Sequence, residues 1–166
     1  TLYSLKYEKP VTRQIIRAGR PLSRYPDALI YNSSLSRDQH ENFGFSAKES
    51  IVIPNGFDLI NLGPNLEKGA MVRQEFGFDP YSIIIGHVAR FHPMKDHTKF
   101  LNAAIEVVKQ VPSARFLLVG RNVTPENQAL SSLVPRELMS RFVFAGERQD
   151  MTRLMQAMDM LCISSA

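Results

Sequence analysis

From residue 82 onward the chain repeats one pattern: a short, continuous apolar run, then a loop rich in glycine or basic residues, then a helical stretch. Ser82–Val88 contains Ile83-Ile84-Ile85, Phe116–Val119 ends in Gly120, Phe142–Phe144 is followed by Gly146, and Met160–Ile163 closes the series. Runs that are apolar without alternation describe strands buried on both faces, which is the position of strands in a parallel sheet covered by helices. The intervening segments supply those helices. Asp96 can cap a long one whose apolar residues Phe100, Leu101, Ala104, Ile105, Val108 and Val111 trace one face at a 3.6-residue period, until Pro112 stops it. Met151–Met158 reads as another. The order β-α-β-(α)-β-α-β predicts an open parallel α/β sheet. Right-handed crossovers align the loops after each strand along one edge, where ligands of such sheets bind. Arg90, Lys95, Gly120, Arg121 and Gly146 are expected at that edge.

The first part of the chain is less regular. Residues 11–20 read as a helix ending at Pro21, and Ala28–Tyr31 as a short strand. Asn32, Ser33 and Ser34 offer capping chemistry for a helix running to Phe43 and closed by Gly44. Ser50–Ile53 is a β-branched run halted by Pro54-Asn55-Gly56, a strong turn signal. Residues 57–70 hold Gly63, Pro64 and Gly69 without periodicity and read as a connection, with Met71–Phe76 a short helix closed by Gly77. The expected organisation is a first domain over 1–56, a linker over 57–70 and a second domain over 71–166. The chain starts on Thr1 and stops just past a strand, so the sheet is expected to be incomplete at both ends and the chain a fragment.

Composition narrows the function classes. No apolar run approaches the ~20 residues of a membrane span, and the first residues have no signal-peptide pattern. Cys162, the single cysteine, has no internal partner, which points to a reducing, cytoplasmic setting. The net charge of +4 is uneven: residues 1–26 hold six basic side chains against one acid. The remainder is close to neutral, which argues against nucleic acid as a partner.

Gly86-His87-Val88-Ala89-Arg90-Phe91-His92-Pro93-Met94-Lys95 leaves a buried strand and enters a helix, bringing two cations to the strand's carboxyl end. A diphosphate is held by such a combination of N–H donors, helix dipole and cationic side chains. Two solvated cations on a loop remain the alternative. There is no Gly-x4-Gly-Lys-Ser/Thr and no Gly-x-Gly-x-x-Gly, so neither a Walker loop nor a dinucleotide fingerprint is present. His87, His92 and His97 recur every five residues on a strand, a loop and a helix start, a spacing that suits loop and cap roles for most of them and no metal. His40 reads as a surface residue. Asn55-Gly56 reads as a tight turn, and Asp150 as the cap of the next helix. Arg13, Arg17, Arg20 and Arg24 fall on one helical stripe that Pro21 interrupts. A solvated face and contact with anionic lipid or an anionic acceptor both stay open for it.

The ordered set Asp27–Ser34, Ser50–Asp58, Gly86–Lys95, Ala114–Gly120, Phe142–Arg148 and Asp150–Ser165 resembles the retaining glycosyltransferases of family 4, also called group 1 glycosyltransferases. The resemblance covers nearly the whole chain and implies a GT-B fold with Rossmann-like parallel sheets. It implies that residues 1–53 end the acceptor-side domain and that Pro54-Asn55-Gly56 leads into the hinge. It also implies that Arg90 and Lys95 bind the donor diphosphate, and that Gly86 lets the donor approach. Gly120, Arg121, Phe144, Gly146 and Arg148 fall in the base and ribose region. The implied partners are a nucleotide-sugar donor and a glycan or lipid-linked acceptor, with peripheral membrane contact through the four arginines. No cofactor or metal is implied. The catalytic residues and the family's E-x7-E element are expected outside this chain, so the fragment alone is expected to be inactive. Asp96 departs from the family, where many members carry glycine. A sugar-nucleotide epimerase of the same fold and a non-catalytic nucleotide-binding module are the alternatives.

Overall fold

The computed structural model describes residues 9–57 and 63–165. The chain divides into two compact units, Thr1–Asp58 and Leu59–Ala166.

The first unit is a β-α-β motif preceded by a helix. Helix α1 (Pro10–Leu22) starts on a proline, where the missing N–H costs nothing. It runs on through Pro21 rather than stopping there. A proline in the last turn forfeits a single N–H bond, and the Ser23 N–H, which donates to the Gly19 carbonyl at 2.8 Å, closes the helix behind it. Strand β1 (Ala28–Tyr31) leads into α2 (Ser34–Phe43). The Ser33 hydroxyl caps α2 by accepting from the Ser36 N–H at 3.1 Å, and Gly44 ends it in a left-handed conformation (φ +101°). Strand β2 (Glu49–Val52) pairs parallel with β1, Ile30 opposite Ile51. His40 is not a surface residue. Its ring is half-buried between Tyr31 and Phe45, with centroids 5.5 and 5.1 Å away, and its Nδ1 meets the Ser36 carbonyl at 2.7 Å.

The second unit opens with α3 (Leu66–Glu75), which the sequence reading placed partly inside a linker. The Asn65 side chain caps it, accepting from the Lys68 N–H at 2.9 Å. Gly69, read as a linker glycine, is instead a packing glycine: a Cβ there would land on the Gln156 carbonyl oxygen. Strand β3 (Ile83–Val88), a 3-10 turn (Pro93–Lys95) and α4 (His97–Gln110) follow, then β4 (Ala114–Val119). A short helix α5 (Gln128–Ser131) and a 3-10 turn (Arg136–Arg141) lead to β5 (Phe142–Phe144). Helix α6 (Met151–Ala157) and β6 (Met160–Leu161), shorter than expected, end the unit.

The four strands form one parallel sheet in the order β5-β4-β3-β6. Side-chain alternation along β4 divides the core between its faces. Phe116 and Leu118 join Phe100, Leu101, Ala104 and Val108 of α4 on one side. Leu117 and Val119 meet Val72 of α3 and Leu154 of α6 on the other. The continuous apolar run of β4 is therefore explained by burial on both faces. The fold class is α/β with parallel sheets.

Candidate functional site

The loops following β3, β4 and β5 are joined by backbone hydrogen bonds beyond the ends of the strands. The Ala89 N–H donates to the Val119 carbonyl (2.9 Å), Phe91 N–H to Arg121 (2.8 Å), and Gly120 N–H to Gly146 (2.8 Å). Gly120 makes this approach feasible. It adopts φ +154°, and a Cβ there would strike the Ala89 carbonyl. Gly146, at φ +69°, returns its own N–H to the Val123 carbonyl at 2.9 Å.

Above these loops lies a cleft of about 300 Å³, lined by Arg90, Gly120, Arg121, Glu147, Arg148 and Met151 among others. It sits at the carboxyl edge of the sheet, the position expected from topology. Three cations face one carboxylate, an excess that favours an anionic ligand. Their states differ. Arg121 pairs loosely with Glu147, at 3.4 Å, and both are exposed. Arg148 is held by Asp150 (2.8 Å) and Glu75 of α3 (3.0 Å), with its guanidinium 5.7 Å from the centre of the Phe76 ring. Arg153 completes the network, reaching Glu75 at 2.6 Å and Asp150 at 2.8 Å. Hydrogen bonding from Arg148 holds the Asp150 carboxyl well below the usual range, and that from Arg153 lowers Glu75. Arg90 is the one lining cation with no carboxylate partner among the described residues.

Asp150 is not a side-chain cap. It stands at the start of α6, but its carboxylate is taken by the two arginines. Arg148 was legible as a cleft residue, whereas Glu75 was not, because it acts from 73 residues upstream with no local signal. Lys95 does not line the cleft. It ends the 3-10 turn, with its Nζ 3.4 Å from the Ser165 hydroxyl. Gly86 also stands apart: a Cβ there would run into the side chain of Met158, just past α6, so its smallness serves packing there. Phe144 is buried at 8% exposure in the α4-side core, and its ring is not part of the cleft. Gly146 acts through its backbone.

The loop bearing Arg90 and Lys95 is fixed at several points. Asp96 caps α4 through Lys99 N–H (3.0 Å), and the Ser164 hydroxyl donates to the Lys95 carbonyl (2.9 Å). The Met94 N–H donates to His92 Nδ1 at 3.2 Å. His87 and His97 bracket the loop as a buried edge-to-face pair, centroids 4.7 Å apart, and Phe100 stacks on His87 at 4.5 Å. His87 Nδ1–H donates to the Cys162 carbonyl at 2.9 Å. His87 Nε2 and both His97 nitrogens have no hydrogen-bond partner among the described residues. Burial lowers both histidines below the ordinary value of 6.5. Among the described residues, no three His, Cys, Asp or Glu side chains converge as a metal site. No helix among them is long and apolar enough to cross a membrane.

Comparison with known proteins places this geometry. The family model "Glycosyl transferases group 1" matches residues 82–166, just over half of the chain. The chain is 27% identical over 116 residues to the Escherichia coli UDP-Gal:alpha-D-GlcNAc-diphosphoundecaprenol alpha-1,3-galactosyltransferase, covering 69% of this chain and 30% of that protein. It is 36% identical over 95 residues to the D-inositol 3-phosphate glycosyltransferase of Segniliparus rotundus, covering 57% and 21%. Among solved structures, Anabaena HepE in complex with UDP and glucose superposes with a TM-score of 0.82 at 24% identity, over 99% of this chain and 44% of that one. Its complex with UDP-glucose aligns at 26% identity and a TM-score of 0.75, over 92% and 42%. The shared fold is GT-B. The chain thus spans about a third of the galactosyltransferase and under half of HepE. By its matched sheet, helices and cleft loops, the chain belongs to the group 1 glycosyl transferases.

Proposed function

We propose that this chain is the donor-binding part of a retaining, family 4 glycosyltransferase. Its parent moves a sugar from a nucleoside diphosphate to a hydroxyl of a glycan or lipid-linked glycan. The observation that carries the reading is Arg90, unpaired among the described residues at the rim of a cation-rich cleft on the carboxyl edge of the sheet. The UDP and UDP-sugar in the HepE complexes and the UDP-Gal in the galactosyltransferase's name support a uridine nucleotide as the donor moiety. The unit Thr1–Asp58 would belong to the acceptor-side domain and the unit Leu59–Ala166 to the donor domain.

In the transfer, the bond between the anomeric carbon and the diphosphate oxygen breaks. The nucleoside diphosphate leaves with the electron pair, and the acceptor hydroxyl oxygen bonds to the same carbon as its proton is released. Negative charge grows on the departing phosphate, and preorganised cations lower the barrier most where charge develops. Arg90 takes that role from the cleft and Lys95 from the turn beyond it. The Gly120, Arg121, Gly146 and Arg148 loops receive the base and ribose, chiefly through backbone groups. The parent works at the cytoplasmic face of a membrane, without a metal.

Titration calorimetry of UDP into the chain tests the binding half. Arg90→Gln is expected to weaken UDP by about tenfold or more, the worth of one charge-assisted hydrogen bond. Unchanged affinity removes Arg90 from the site. In the full-length parent the same substitution lowers kcat as well as affinity. Loss of binding alone would identify a non-catalytic module, and turnover of donor without acceptor an epimerase.

A further inference from the structure

Four side chains at one end of the cleft form a cluster of alternating charge. Arg148 donates to Asp150 through Nε and Nη2, both at 2.8 Å, and through Nη2 to Glu75 at 3.0 Å. Arg153 reaches the other oxygen of Glu75 at 2.6 Å and Asp150 at 2.8 Å. Two cations and two carboxylates sum to zero, so the charge that Arg148 brings to the cleft is cancelled where it stands. Arg90 has no such partner among the described residues, and Arg121 holds Glu147 only at 3.4 Å.

The cleft is therefore polarised. Arg90 follows β3, Arg121 follows β4 and Arg148 follows β5, and these strands lie side by side in the order β5-β4-β3. Two strand spacings, about 10 Å, separate the strand leading to the unpaired cation from the strand leading to the neutralised one. A long ligand with one anionic end is oriented by that difference, its charge toward Arg90 and its uncharged part toward Arg148.

Glu75 contributes what Asp150 cannot. Asp150 lies on the same loop as Arg148 and moves with it. Glu75 is the last residue of α3, a helix whose Gly69 lies against the backbone of α6 at Gln156. Its carboxylate bridges both arginines, tying the loop after β5 and the first turn of α6 to α3. The neighbouring Phe76 ring, 5.7 Å from the Arg148 guanidinium, supports the same position. Without the Glu75 charge the cluster would be a net cation, and Arg148 would keep a carboxylate partner only on its own loop.

We propose that Glu75 is a positioning residue for the nucleoside half of the donor: through Arg148 it holds the loop after β5 and keeps that end of the cleft uncharged. The inference rests on the proposed nucleotide site and adds to it a residue 73 positions upstream of the loop it controls.

NMR titrations of the whole chain with UDP and with inorganic pyrophosphate test the two ends separately. The four side chains are 27–34% exposed, so water screens their charges and the expected effects are severalfold. Glu75→Gln is expected to weaken UDP about threefold to tenfold, because the loop loses its tether. Pyrophosphate is expected to bind as before or up to about threefold tighter, because the cleft gains positive charge. A merely structural role would weaken both probes together, and a merely electrostatic one would tighten both; either result overturns the inference. Glu67→Gln, which removes an exposed acid at the other end of α3, is expected to change each affinity by less than about twofold. In an Arg148→Gln background, Glu75→Gln is expected to weaken UDP no further, and an undiminished effect would show that Glu75 does not act through Arg148. Thermal unfolding confirms that each variant is folded. Absence of UDP binding by the unsubstituted chain would overturn the donor reading and this inference with it. UDP binding indifferent to Glu75→Gln would overturn this inference alone.

Discussion

Asp96 sits in the left-handed region (φ +42°), which costs most side chains about 1–2 kcal/mol and which Gly, then Asn and Asp, adopt most readily. It offsets that strain by capping α4 through the Lys99 N–H. Glycine at this position would meet the same backbone demand without a cap. Two substitutions separate the contributions. Asp96→Ala keeps the strain and loses the cap, and is expected to cost about 1–3 kcal/mol. Asp96→Gly loses the cap and relieves the strain, so it is expected to stay within about 1 kcal/mol of the native chain. Denaturant unfolding checks both, and equal losses would show that the backbone conformation carries no strain. The left-handed backbone carries no local signal, although the cap itself was legible. Capping is written in residue type and spacing, whereas φ depends on loop contacts such as the Ser164 hydroxyl at the Lys95 and Asp96 carbonyls.

At the scale of elements, the β3–α4–β4 unit was readable because strand burial and helix periodicity are local patterns. Contacts between distant elements were not. Pro21 was read as a stop, yet the turn behind it closes through Ser23. Asp150 was read as a cap, yet Arg148 and Arg153 claim its carboxylate. The histidines at 87 and 97 were spaced visibly but gave no hint of meeting. Their burial makes folding stability depend on pH. Burial lowers His87 below 6.5, with the charge of Lys95 pushing the same way and the Cys162 carbonyl opposing. Burial lowers His97 too, reinforced by His87 and opposed by Asp96. The Ala89 carbonyl faces His97 without a hydrogen bond of good geometry. As pH falls below about 6.5, the unfolded chain therefore binds protons that the folded chain resists. Their contribution to stability is full above that pH and lost progressively as pH falls toward the lowered values. Unfolding temperature followed from pH 7.5 to 5 is expected to drop, and His97→Phe to drop less. Identical slopes for the two proteins would remove the pair from the linkage.

For the whole molecule, the boundary matters most. The reading from sequence put a connection at 57–70, while compactness divides the chain at Asp58 and Leu59 and α3 already begins at Leu66. The discrepancy lies in α3, whose glycine and weak periodicity mask a helix that packs closely on α6 through Gly69. Once α3 joins the second unit, every residue lining the cleft proposed for the donor comes from that unit, together with Glu75, which steadies Arg148. On the proposed reading, nucleotide binding belongs to the second unit, and linkage makes that measurable. A ligand at a hundred times its Kd stabilises the state that binds it by ~2.7 kcal/mol. Hydrogen exchange with saturating UDP is expected to slow in the loops after β3, β4 and β5, while β1, α2 and β2 exchange as before. Arg90→Gln at the same nucleotide concentration should abolish most of that protection. Slowing spread equally over both units would mean that the first unit also engages the nucleotide, and the cleft formed by residues of the second unit would not be the whole donor site.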